Sequence, residues 1–198
     1  MDLGRIYPEP IRRLAAFQKA RELRSSQPNL LTWIAHSAIE ANADAAAEQA
    51  GLELLALVAE ARSVFGEKLD WKDKGRALWT RARSVCSNET DAQELVEAIT
   101  GNANRKHWGH TVLGVLAARR DDLSRAKQHL RDSAAVGSDY RLSAYGPSFL
   151  LARELCARGE WDAVTEYLLA CQSFWNPEPL RQWIDQIRQQ QVPEFPGR

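Results

Sequence analysis

Apolar positions recur along the chain at three- and four-residue spacing, and nowhere in the strict alternation of a half-buried strand. After Pro10, the residues Ile11, Leu14, Ala15 and Phe17 form one stripe, with Arg12, Arg13 and Lys19 outside it, which predicts a helix over 10–23. Residues 25–29, Ser-Ser-Gln-Pro-Asn, break the pattern. It resumes over 30–65, too long for one ordinary globular helix, and divides near Asn42-Ala43-Asp44 or at Gly51, with Gly66 suited to the helix end. Ala77, Leu78, Ala82 and Val85 mark a helix over 74–85. Thr90 or Asp91 caps the next, which runs to about Ile99, with Glu94 as capping-box partner and Gly101-Asn102 as its stop. Near the end, Leu180, Trp183, Ile184 and Ile187 give an i, i+3, i+4, i+7 stripe behind Asn176, a candidate N-cap, and Pro177 and Pro179. Val192-Pro193-Glu194-Phe195-Pro196 cannot continue a helix; it forms a tail that folds back or serves another contact. The pattern predicts one stack of about nine or ten helices with no inter-domain linker.

The middle of the chain repeats itself. His107-Trp108-Gly109-His110-Thr111-Val112-Leu113-Gly114 aligns with Tyr145-Gly146-Pro147-Ser148-Phe149-Leu150-Leu151-Ala152, each with Leu and a small residue at its last two positions. Asp121-Asp122 then matches Gly159-Glu160, Leu123 matches Trp161, Ala126 matches Val164 and Leu130 matches Leu168, at a constant offset of 38 residues. Small residues at Gly114, Ala152 and Ala126 allow close helix approach, and the leucines fill the space between helices.

This pattern resembles the tetratricopeptide repeat, and the stretch 101–175 also looks like a group of bacterial tetratricopeptide-like proteins, a likeness that carries fold and no mechanism. The sequence departs from the family at Asp121, where Gly is usual, at Ser138, where Pro is usual, and at Val164, where Ala is usual. The extra four residues over the usual period are assigned to a longer loop at 136–144. The resemblance implies an all-α fold of antiparallel helical hairpins stacked as an α-solenoid. Residues 1–198 form one domain: an irregular helical part (1–100), two hairpins with a capping helix (101–190) and a tail (191–198). It also implies a concave groove lined by Trp108, Thr111, Val115, Ala118 and Arg119 in the first repeat and by Phe149, Arg153, Cys156 and Ala157 in the second. Trp108, Thr111, Arg119, Phe149 and Arg153 are the expected partner-binding residues. The basic-and-Asn carboxylate clamp of some such families is not matched, since Thr111 and Val115 stand at its positions.

Composition narrows the function. Hydrophobic residues make up 44% of 198, including seven Trp, so the chain can bury a core. Lys+Arg and Asp+Glu balance at 26 each, which disfavours nucleic-acid binding by bulk charge, although basic clusters stand at 12–24, 76–83 and 119–131. Three cysteines without a C-x-x-C pair fit reduced thiols, and with no signal-like or membrane-length apolar run a cytoplasmic protein is expected.

No triad order, phosphate loop or H-E-x-x-H occurs, so neither enzymatic activity nor a cofactor is expected. His107 and His110, at i, i+3, could join His129 around a metal; no Cys or carboxylate completes a known spacing, so packing or hydrogen bonding is expected and no metal is assigned. Asn102, Asn104 and Arg105 are read as a turn before these histidines and as candidate loop residues. The leading expectation is a module that binds another protein or peptide of acidic character, as adaptor, regulator or immunity-type inhibitor. A nucleic-acid-binding helical repeat and a self-associating assembly protein are the alternatives.

Overall fold

Eleven helices and no strand occur among the residues that the computed structural model describes, 9–23, 29–65, 75–137 and 140–196. They are α1 (Pro10–Glu22), α2 (Leu30–Glu40), α3 (Asp44–Phe65), α4 (Gly75–Val85), α5 (Glu89–Thr100), α6 (Asn102–Arg119), α7 (Leu123–Ala134), α8 (Tyr140–Tyr145), α9 (Leu150–Cys156), α10 (Trp161–Cys171) and α11 (Glu178–Arg188). The all-helical expectation holds, and the helix count exceeds it because the stretch expected as a longer loop contains α8. The expected break at 25–28, the helix end at Gly66 and the Ser138 position lie outside the described residues. No helix among the described residues is long and apolar enough to cross a membrane.

The long helical stretch divides at Asn42, which takes a left-handed φ of 54°, while Gly51 lies inside α3. Asp121, Gly159 and Gln190 have the same handedness, with φ of 62°, 74° and 59°. At each, the N–H of the left-handed residue donates to the carbonyl three back, and the next N–H to the carbonyl five back from itself. The pairs are Asn42 to Ile39 with Ala43 to Ala38, Asp121 to Ala118 with Asp122 to Ala117, Gly159 to Cys156 with Glu160 to Leu155, and Gln190 to Ile187 with Gln191 to Gln186. This is the Schellman closure, which satisfies carbonyls that a helix end otherwise leaves unpaired. Asp121 thus performs the turn that Gly159 performs 38 residues later. The start of α5 is capped by Asn88, whose Oδ1 accepts from the Asp91 N–H at 2.9 Å, two or three residues earlier than Thr90 or Asp91 would place it. At α11 the cap position is Pro177, and Asn176 lies outside the helix.

Packing largely follows chain order: α1 on α2, α2 on α3, α3 on α6, α6 on α7, α7 on α9 and α10, and α10 on α11. The pair α4–α5 packs against α3 and forms a small separate core of Ala61, Ala82, Ala92 and Leu95. Helix α6 is central and touches α2, α3, α5, α7, α8 and α9. Its small residues make this possible. A Cβ on Gly109 would stand 2.8 Å from the Leu55 side chain and 3.1 Å from the Gly51 carbonyl oxygen, so α3 and α6 meet backbone to backbone. On the opposite side, a Cβ on Gly114 would stand 2.3 Å from Leu151 and 3.0 Å from the Cβ of His129. The helices that carry the two matched stretches are unequal. Helix α6 spans 18 residues, whereas α9 spans 7, because Gly146 at φ 76° and Pro147 hold the preceding segment out of helical geometry.

Candidate functional site

The residues expected to line an open groove are mostly enclosed. Trp108, Thr111 and Phe149 are buried, as are Val115, Ala118 and Cys156. Helix α2 packs on α6: His36 meets the Trp108 ring edge to face at 5.4 Å. Arg119 donates to Asp44 Oδ1 at 2.7 Å and to the Ile39 carbonyl at 2.9 Å, serving a carbonyl near the end of α2 and a carboxylate at the start of α3. A helix end offers negative partial charge to a cation, which accounts for this placement. Asn102, Asn104 and Arg105 are not a turn. They form the first helical residues of α6, and Asn104 and Arg105 are buried. Several cations of the basic clusters also face acids, among them Arg13 with Glu40, Arg21 with Glu53, Arg120 with Glu48 and Lys127 with Glu160.

The segment around α9 is covered by the chain's own tail. The tail returns along α9 and α11 without helical structure, with Pro193 and Phe195 buried and Val192, Glu194 and Pro196 exposed, and the Phe195 N–H donates to the Pro193 carbonyl at 2.9 Å in a tight turn about Glu194. Phe195 stacks on Phe149 at 4.7 Å with ring planes 3° apart, and meets Trp183 edge to face at 5.6 Å. Trp175 closes the cage, 5.9 Å from Phe149 and 6.1 Å from Trp183. The backbone under Trp175 is Gly146, where a Cβ would lie 2.5 Å from the indole. Arg153 reads the main chain of the tail: its Nη2 donates to the carbonyls of Phe195 and Pro196. Of the expected groove residues, Phe149 and Arg153 are therefore brought together here, while Trp108 and Arg119 belong to the contact with α2 and α3 and Thr111 is buried on α6. Trp175, Trp183 and Phe195 were not assigned to a site from sequence, although the Pro-x-Phe-Pro tail behind a Trp-rich helix was the available signal.

The histidines divide as well. His107 is fully buried in a polar network, whereas His110 Nδ1 lies 3.1 Å from His129 Nδ1, so one ring donates and the other accepts. Burial pulls the His110 imidazole down to about 4 against the opposing pull of Asp132, and burial with Arg125 lowers His129. Asp132 stands beside both rings, and one ligand atom from each of the three residues lies within 4.8 Å of the others.

The cysteines carry free thiols. Burial pushes Cys156 up to about 11 and Cys171 up to about 12, so neither presents a thiolate near neutrality. Both act as small core side chains. No protein-family model, curated protein or solved structure matches the chain.

Proposed function

We propose that this chain is a tetratricopeptide-like helical-repeat module that binds a short non-helical segment of another protein, and that it does no covalent chemistry. The observation that carries the reading is the seat of the tail. A cage of Phe149, Trp175 and Trp183 takes an aromatic side chain, while Arg153 takes backbone carbonyls from the same strand. This combination supplies side-chain choice from the cage and affinity from main-chain contacts. The partner it suits is a short non-helical segment with an aromatic residue beside proline. An acidic partner is less well served, because Arg119 is engaged with Asp44 and Arg153 faces carbonyl oxygens. The turns at Asn42, Asp121 and Gly159 support a reading in which α2–α3, α6–α7 and α9–α10 are three successive hairpins of one irregular array.

A tethered tail competes with any free ligand at an effective concentration of the order of millimolar. Weak partners are excluded, and a productive partner must outbind the tail or capture it. The test uses a chain ending at Gln191 and a fluorescent peptide containing Gln191 to Pro196. Saturable binding is expected, lost with Arg153→Ala in the protein or with Phe195→Ala in the peptide. The reading fails if the shortened chain keeps its helical circular dichroism and does not bind the peptide. It fails equally if the shortened chain unfolds, which would make the tail a structural strap.

A further inference from the structure

We propose that His110, His129 and Asp132 form a binding site for a divalent transition-metal ion of the zinc type, held between α6 and α7. The residues come from two packed helices: His110 from α6, and His129 with Asp132, at i, i+3, from α7. Two imidazoles and one carboxylate are a common three-residue donor set for zinc and its neighbours, leaving a fourth position for water.

The distances suit such an ion. Two nitrogens, each about 2.0–2.1 Å from a tetrahedral zinc, stand about 3.3 Å apart. The two Nδ1 atoms are 3.1 Å apart and aimed at each other. A small opening of the rings would therefore exchange a hydrogen bond between two neutral imidazoles for two bonds to one ion. Gly114 makes the juxtaposition possible, since a Cβ there would press on His129 Cβ at 3.0 Å. Gln128 Nε2 donates to Asp132 Oδ1 at 3.1 Å, which holds the carboxylate and leaves its second oxygen for the ion. Asp132 and both rings are only half-buried, so the ion has an entry path.

Charges of both signs surround the ligands. Lys106 on α6 bears on His110, and Arg125 on α7 bears on His129; Asp132, with Asp122 at the start of α7, opposes them. Nitrogen donors select zinc, nickel, cobalt or copper over magnesium and calcium. Because the ligands span α6 and α7, the ion would clamp that hairpin in its folded form.

The test is calorimetric titration of the full chain with zinc chloride in buffer free of chelators, with magnesium chloride as control. One zinc per chain is expected, no heat with magnesium, and a melting temperature raised by about 5 °C at a hundredfold excess over Kd. His129→Gln and Asp132→Asn should each weaken binding by about tenfold or more. Asp132→Asn is the deciding variant if the histidine variant loses its helical circular dichroism, since it sits at a half-exposed position. Absence of zinc binding by the intact chain overturns the proposal. So does zinc binding that survives Asp132→Asn unchanged, which would place the ion on other residues.

Discussion

His107 Nε2 accepts a hydrogen bond from the backbone N–H of Ser148 at 2.8 Å. That acceptor fixes the tautomer: the proton is on Nδ1, which donates to the Ser133 carbonyl at 2.9 Å. Tyr167 completes the network by donating to the Ser148 carbonyl at 2.9 Å. One side chain in α6 thus joins the end of α7 to the turn before α9, and through it to α10. Replacing His107 by Ala leaves a buried N–H and a buried carbonyl unpaired and opens a ring-sized void. The expected loss is about 3–5 kcal/mol. Urea denaturation measures it, and amide exchange at Ser148 should quicken in the variant. A loss below about 1 kcal/mol would show that the network carries no such weight.

Arg119→Glu gives a second expectation. It sets a carboxylate against Asp44 and removes the donor to the Ile39 carbonyl, two contacts that join α6 to α2 and α3. The pair is partly exposed, which limits its strength, and the expected loss is about 1–2 kcal/mol. Adding Asp44→Arg to the variant should restore part of it by reversing the pair. No recovery in the double variant would mean that Arg119 acts through packing rather than through the ion pair.

The sequence made one turn legible by its repeat and left another of the same kind, at Asn42, as one of two break points. Asp121 and Gly159 could be matched because the residues around them, Leu113 with Leu151 and Leu130 with Leu168, keep the same spacing. Asn42 makes the same closure, yet the helix after it carries Gly51 at the position matching Leu130, where α3 meets the backbone of α6 instead of filling space. Periodicity reports which face of a helix is buried but not what covers it. The enclosure of Trp108 beneath α2 accompanies contacts such as Arg119 to Asp44, 75 residues apart in the chain. The tail was readable as non-helical; its seat on Phe149 depends on where α11 places Trp183. Asp132 was passed over because it completes the histidine pair only when α6 and α7 pack side by side.

Thr111 offers a test that separates core from groove. It is 1% exposed, and its Oγ1 has no hydrogen-bond partner. A buried hydroxyl without a partner is destabilising relative to an isosteric methyl. Thr111→Val should therefore raise stability by about 1 kcal/mol, or about 2–4 °C in melting temperature. A surface position would respond weakly. A clear loss of stability would show that the hydroxyl makes a contact in solution that this arrangement lacks.

The left-handed closures make the last prediction comparative. Asp121 and Gly159 hold the same conformation, φ 62° and 74°, with the same pair of hydrogen bonds, but only one is glycine. A side chain in this region costs energy that glycine does not, and Asp tolerates it better than most residues because its short polar chain can bond locally. Asp121→Gly should raise stability by about 0.5–1 kcal/mol, and Gly159→Ala should lower it by about 1 kcal/mol. Asp121 is exposed, so loss of its charge is a competing influence, and Asp121→Asn isolates that influence while keeping the shape. The expected order of melting temperatures is Asp121→Gly above the parent chain, Asp121→Asn close to it, and Gly159→Ala below it. An Asp121→Gly variant that melts below the parent would mean that the aspartate contributes more at this turn than its backbone conformation costs.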